Sequence, residues 1–229
     1  SLPVLTKTGT EYLDGTALFT LAHRLNGSPL SKLDRFGDSL VDFGKKYGNS
    51  IGRLHKALSV VQNEILPDET NLYRSTVEWA LPSVRRQNAQ WSIGLNEEFF
   101  TDYIDKFEEL SDRLPRQLIH RDPNPGNILF DGGEVSGFID FDLSEVNVRL
   151  WDPCYCATSI LSETCVRRYE KWLNILGSIL QGYDHENKLT LEEKQAVFYV
   201  ICSIQMICAA YFESQERFKP LAKTSCEML

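Results

Sequence analysis

Basic residues are scarce relative to acidic ones. Of 229 residues, 24 are Lys or Arg and 32 are Asp or Glu, giving a formal net charge of −8 and a pI near 5.1. A protein that tracks a phosphate backbone needs the opposite balance, so nucleic acid is not an expected partner. No N-terminal stretch combines a basic region, an apolar core and a small-residue cleavage site, so no secretory signal is legible. Uninterrupted hydrophobic runs are short. The longest, Ala196 to Phe212, is broken by Ser203 and Gln205 and closed by acidic residues (Glu192 and Glu193 before it, Glu213 and Glu216 after). That pattern fits a buried core helix better than a membrane span, and no membrane partner is expected. The sequence has no C-x-x-C pair either. Its six cysteines, at 154, 156, 165, 202, 208 and 226, fall mostly in apolar, helical-looking segments, whereas a disulfide framework belongs to shorter, loop-rich chains. Buried reduced thiols in a cytoplasmic protein are the expectation. There is no internal repeat and no low-complexity segment.

With 42% hydrophobic residues the chain has material for a sizeable core. It opens as strand, turn, strand: Pro3 to Lys7, Thr8-Gly9, then Glu11 to Leu13. Asp14-Gly15 is a hairpin signal, and Ala17 to Ala22 is another apolar strand. Asn26-Gly27-Ser28-Pro29 is a loop of breaker residues. Apolar positions at Leu40, Phe43, Tyr47, Ile51, Leu54 and Leu58 step by three and four and make one face of a helix. Asn63 to Asn71 reads as a loop, and Leu72 to Leu81 as a short helix stopped near Pro82. Asn96 is placed to cap a helix with a stripe of Phe99 or Phe100, Tyr103, Phe107 and Leu110, its acidic residues forming a solvated face. Gln117 to His120 is then a short strand. Asn127 to Phe130 and Val135 to Ile139 form a hairpin around Asp131-Gly132-Gly133. Helices at about 153–161, 164–182 and 190–218 follow, the last opening with a capping box, Thr190-x-x-Glu193. The fold class is therefore α+β: a mainly helical body with a β-hairpin embedded in it.

The chemistry is concentrated in Leu118-Ile119-His120-Arg121-Asp122-Pro123-Asn124-Pro125-Gly126-Asn127 and in Ile139-Asp140-Phe141-Asp142. Moving a phosphoryl group from ATP to a hydroxyl requires a carboxylate to orient and deprotonate that hydroxyl. It also requires oxygen ligands for one or two Mg²⁺ ions. Asp122 lies in the loop entering the hairpin, Asn127 opens its first strand and Asp140 closes its second. The three can converge at one end of the hairpin while the Gly-Gly turn lies at the other. Taken singly, each is an ordinary turn or strand-end residue; their order and spacing carry the signal. His55 reads as a packing or hydrogen-bonding histidine, and Trp151 and Tyr155 as core residues.

His-x-Asp-x-x-x-x-Asn, a short hairpin, then Ile-Asp-Phe-x-Asp resembles the aminoglycoside phosphotransferase/choline kinase-like family, a branch of the protein-kinase-like fold, with the type II homoserine kinase-like group nearest. Ile51-Gly52-Arg53-Leu54-His55 and the stretch from Leu18 to Leu30 resemble the family's segment before the catalytic region and its hinge. The resemblance implies a C-terminal helical, catalytic lobe over residues 26–229, with residues 1–25 as a remnant of the N-lobe sheet and the hinge. It implies ATP and Mg²⁺ as cofactors and a small-molecule hydroxyl as acceptor: an amino alcohol, an amino sugar or a homoserine-like compound. Asp122 becomes the catalytic base, Asn127 a metal ligand, and Asp140 a ligand bridging metal and phosphates. His120 braces the catalytic loop, Asp142 is a neighbouring partner or a wall of the acceptor pocket, and Asp152 stabilises the loop. Arg121 departs from the family, which has a small residue there, and leaves room for an unusual acceptor, even a protein.

The family's Gly-rich loop and phosphate-contacting lysine have no counterpart ahead of the hinge. A truncated kinase sequence with little activity alone is therefore expected, together with self-association through an uncovered N-terminal sheet edge. A non-catalytic, pseudokinase-like interaction module is the alternative.

Overall fold

The computed structural model describes residues 4–13, 19–31, 39–64, 67–163 and 169–229. The face spaced at three and four residues forms α1 (Leu40–Val61), which buries Tyr47 and Ile51 completely. Its main partner is α6 (Tyr169–Glu186), through Ile179 and Tyr183. Small residues set their separation. A methyl group on Gly48 would fall on the Ile179 carbonyl oxygen, and one on Gly182 on the Lys45 carbonyl oxygen. The two backbones therefore touch directly, a contact that the stripe of large apolar residues did not announce.

The loop after α1 leads into α2 (Leu72–Arg74), capped by Asn71, whose side chain accepts from the Arg74 amide. The helix does not stop at Pro82. It widens into a π-helical stretch (Ser75–Ala80) and runs on as α3 (Leu81–Trp91). Pro82 directly follows the π-helical stretch, where the turn is already widened, so the helical segment carries the proline instead of ending at it. Asn96 caps α4 (Glu97–Ser111) through the Phe99 amide at 2.9 Å, and Phe100, Tyr103 and Phe107 form its buried stripe.

Beyond α4 the chain forms β3 (Arg116–Ile119), then the hairpin of β4 (Ile128–Asp131) and β5 (Glu134–Phe138), as the turn chemistry requires. A further strand, β6 (Glu145–Val148), pairs antiparallel with β3, Ile119 opposite Glu145. The linker reaches the hairpin as well: Ser28 and Phe130 exchange both backbone hydrogen bonds, at 3.0 and 2.8 Å. At the N-terminus β1 (Tyr12–Leu13) and β2 (Phe19–Thr20) pair antiparallel, with Tyr12 and Phe19 exposed. The turn expected at Asp14-Gly15 lies outside the described residues.

The C-terminal part is helical: α5 (Trp151–Glu163), α6, α7 (Leu191–Glu213) and α8 (Lys219–Glu227). The expected start of α6 at residues 164–168 is outside the described residues. The capping box of α7 is present in both halves. By length and composition α7 is apolar enough to cross a membrane, but it packs on α5, α3, α4, α8 and the π-helical stretch. The helix expected over 190–218 stops early, at Glu213: the chain makes a 3₁₀ turn at Glu216–Phe218, and a separate helix, α8, follows with Pro220 in its first turn. The five described cysteines are free thiols, and all but Cys208 are buried.

Candidate active site

A buried frame holds the loop between β3 and β4. Asp152, fully buried in the first turn of α5, accepts from three donors: His55 Nε2 at 2.8 Å, the His120 amide at 2.9 Å and the Arg121 amide at 3.0 Å. His55 in turn meets the Tyr183 hydroxyl at 2.8 Å through Nδ1. The frame thus links α6, α1, α5 and the loop backbone. Burial holds the Tyr183 hydroxyl in its protonated form, pushing it well above its ordinary range.

Asp122 projects from this loop. Its carboxylate accepts from Asn124 Nδ2 at 3.0 Å and Asn127 Nδ2 at 3.1 Å, and its carbonyl oxygen also accepts from Asn127 Nδ2, at 3.0 Å. The two asparagines fix the carboxylate, which itself is only half-buried. The Asn127 carbonyl accepts from the Ile139 amide at 3.0 Å, so Asn127 and the residues around Asp140 meet at the open end of the hairpin. Asp140 adopts a left-handed backbone, φ 66°, and its side chain is exposed, as is Asp142. His120 packs its ring 4.4 Å from that of Phe141 and shares a hydrogen bond between Nε2 and the Ile139 carbonyl oxygen at 3.0 Å. Both strands of chemistry that the sequence singled out are therefore tied together through His120 and Asn127.

Arg121 is the most constrained residue of the loop. Its φ is 75°, a conformation that costs a non-glycine residue on the order of 1–3 kcal/mol. Its carbonyl accepts from Trp151 Nε1 at 2.8 Å, its Nε lies 2.9 Å from Glu145 Oε1, and its guanidinium stacks 3.5 Å over the Trp151 ring. Its Nη1 is buried without a hydrogen-bond partner. Burial pulls the guanidinium below its ordinary value, opposed by the charges of Glu145 and Asp152. Trp151 also stacks on Tyr155, with ring centroids 5.7 Å apart. Burial keeps the Tyr155 hydroxyl protonated beside Cys208 and Asp122. Trp151 is buried as expected, but its indole N–H holds the loop as well as filling the core.

Four contributors, Glu145, Asn124, Leu129 and Ile139, were given no role from sequence. Glu145 lies on β6, a four-residue strand whose alternating Glu-Val-Asn-Val buries its polar residues; its Oε1 also accepts from Asn147 Nδ2 at 2.7 Å. Asn124 looked like a turn residue only. Leu129 and Ile139 line one side of a cavity of about 340 Å³ whose other side is the linker, with Leu25, Gly27 and Pro29. Gly27 has φ 106°, and a Cβ there would collide with the Phe130 carbonyl, so the linker can lie on the hairpin only with glycine at that position.

The donor set near Asn127 suits a hard cation. Asn127 spends its Nδ2 on Asp122, which leaves its oxygen to coordinate, and Asp140 offers an exposed carboxylate. Among the described residues no group of three or more His, Cys, Asp or Glu could hold a metal alone. Mg²⁺ is commonly held by one or two protein oxygens together with substrate phosphates, so the residues fit that ion in that setting.

Comparison with known proteins agrees with this architecture. Residues 3–185 match the family model for the phosphotransferase enzyme family. The homoserine kinase of Zymomonas mobilis subsp. mobilis is 28% identical over 159 residues, covering 67% of this chain and 46% of the relative. That of Gluconobacter oxydans is 34% identical over 85 residues, covering 37% of this chain and 26% of the relative. The chain thus spans less than half the length of these relatives. Among solved structures, amicoumacin kinase hAmiN in complex with AMP-PNP, Ca²⁺ and Ami superposes with a TM-score of 0.68 at 14% identity, over 98% of this chain and 70% of that one. Aminoglycoside 2'-phosphotransferase-IIIa in its GDP complex gives 0.64 at 14% identity, over 99% and 72%. A choline/ethanolamine kinase family protein from Mesorhizobium loti gives 0.59 at 14% identity, over 95% and 73%. The match over most of its length makes this chain a member of the phosphotransferase enzyme family, built on the protein-kinase-like fold.

Proposed function

We propose that the protein takes part in ATP- and Mg²⁺-dependent phosphorylation of a small-molecule hydroxyl. The observation that carries this reading is the Asp122 carboxylate, fixed by Asn124 and Asn127 yet half-exposed, at the end of the hairpin where Asp140 also lies. Asp122 orients the acceptor hydroxyl and takes its proton. The acceptor oxygen bonds to the γ-phosphorus, the bond to the bridging oxygen breaks, and ADP leaves. Asn127 and Asp140 hold the ion. Mg²⁺ supplies neutralisation of phosphate charge. The cavity between Leu25, Pro29, Leu129 and Ile139 takes the flat face of the base. The homoserine kinase relatives support a homoserine-like acceptor, with amino alcohols and amino sugars as the competing classes. His120 braces the loop through Ile139 and Phe141, and Asp152 fixes its backbone.

The test is ADP release by the full-length gene product with Mg²⁺ and ATP across homoserine, amino-alcohol and amino-sugar acceptors, with Asp122→Ala in parallel. Acceptor-dependent turnover that falls about 10²- to 10⁴-fold in the variant is the expected result. Turnover untouched by Asp122→Ala refutes the site. Silence with every acceptor, and no nucleotide binding, replaces this reading with a non-catalytic, pseudokinase-like interaction module.

A further inference from the structure

Arg121 is expensive to bury. It combines a left-handed backbone, a guanidinium drawn out of water and a buried Nη1 with no partner. Each feature opposes folding, and a buried ion pair is commonly no more stabilising than apolar residues of the same volume. Stability therefore does not explain the residue. Its placement does. Arg121 immediately precedes Asp122, and four contacts fix it: its amide to Asp152, its carbonyl to the Trp151 indole, its Nε to Glu145, and its guanidinium face on the Trp151 ring. Glu145 is itself held by Asn147, on a strand paired to the one that enters the loop. The clamp thus fixes the turn on both sides of one peptide unit, using β6 and α5 as anchors.

We propose that Arg121, with Glu145 as its internal counter-ion and Trp151 as its platform, is a positioning residue that holds Asp122 in its working orientation. The planar fork and flat face of arginine are both used, so lysine cannot substitute. The proposal rests on the phosphotransfer reading for its kinetic consequence, but not for its structural one. Misplacing a reacting group by about 1 Å is enough to lower turnover roughly 10²-fold.

The experiment uses the full chain and the variants Glu145→Leu, Arg121→Lys and the double variant Arg121→Met with Glu145→Leu. Thermal midpoint, kcat, both KM values and hydrogen exchange of the amides from His120 to Asn127 are measured. Glu145→Leu alone leaves a buried cation unpaired and lowers the midpoint. The double variant restores the midpoint to that of the parent or above it. Its kcat stays down about 10²-fold with KM for nucleotide and acceptor little changed, and its loop amides exchange at least about tenfold faster. Should the double variant not fold, Arg121→Lys decides: the charge is kept, and kcat still falls at least about tenfold with the midpoint preserved. The proposal is overturned if the double variant keeps parental kcat and loop exchange. It is equally overturned if midpoint and kcat fall in step, or if lysine restores full turnover. If the parent transfers no phosphoryl group to any acceptor, the phosphotransfer reading fails, and the exchange measurement still decides the positioning role.

Discussion

Asp152→Ala is the sharpest probe of the frame beneath the loop. The side chain is fully buried and is the acceptor for His55 Nε2, the His120 amide and the Arg121 amide. Removing it strands three donors at once. Each buried unsatisfied group costs about 1–3 kcal/mol. An overall loss of about 4–5 kcal/mol is expected, a large share of the roughly 5–15 kcal/mol that holds a domain folded. At about 2–4 °C per kcal/mol for a chain of this size, the midpoint falls by about 8–20 °C. Asp152→Asn keeps the shape but sets an amide N–H₂ against one of the donors, for about half that loss. Urea unfolding at fixed slope, with calorimetry beside it, measures both variants. Adding His55→Ala to Asp152→Ala costs less than the sum of the single changes, since the two share one interaction. A loss under about 1 kcal/mol for Asp152→Ala would refute the claim that this carboxylate holds the loop.

Other consequences concern packing and burial. Gly48→Ala drives a methyl into the Ile179 carbonyl at the α1–α6 contact, and backbone cannot move aside as a side chain can. A loss of about 3 kcal/mol or more is expected in urea unfolding, where an alanine in an exposed helix would stabilise. Burial also pushes the thiols of Cys154, Cys156 and Cys202 upward, the last to about 12. In the unfolded chain they lose protons near pH 8.5 while the folded chain retains them, so stability is intact below that pH and falls as pH rises above it. Each contributes a slope of about 1.4 kcal/mol per pH unit, and alkaline unfolding is expected between about pH 9.5 and 10.5, followed by circular dichroism. A protein still fully stable at pH 11 would contradict the buried placement of these thiols.

What the sequence disclosed, and what it did not, divides by range. Local signals came through: the Asn96 cap, the Thr190 capping box, the Asp131-Gly132-Gly133 hairpin and the α1 face are each decided by residues within one or two turns of each other. The order Asp122, Asn127, Asp140 was legible for the same reason, since one hairpin brings their ends together. Elements that depend on a distant partner were hidden. β6 is only four residues of alternation, and its buried positions include the polar Glu145 and Asn147, whose partners, Arg121 and Thr70, are far away in the chain. Pro82 misled because a helix can carry a proline where a π-helical stretch has already widened the turn before it.

The site shows why such distant residues matter. A short hairpin can deliver three polar side chains to one end, but it cannot stop the loop that carries Asp122 from turning, because a loop of two prolines and a glycine has no ladder of its own. Order has to come from outside it. Here Asp152 and Trp151 on α5 and Glu145 on β6 each reach the backbone or side chain of residues 120 and 121, directly before the carboxylate, and His55 on α1 backs Asp152. The Asp122 carboxylate itself is held by Asn124 and Asn127, inside the loop. The candidate site residues are thus local in sequence, and the contacts that order them are not; under the proposed phosphoryl transfer, substitutions in the frame lower turnover through the placement of one carboxylate.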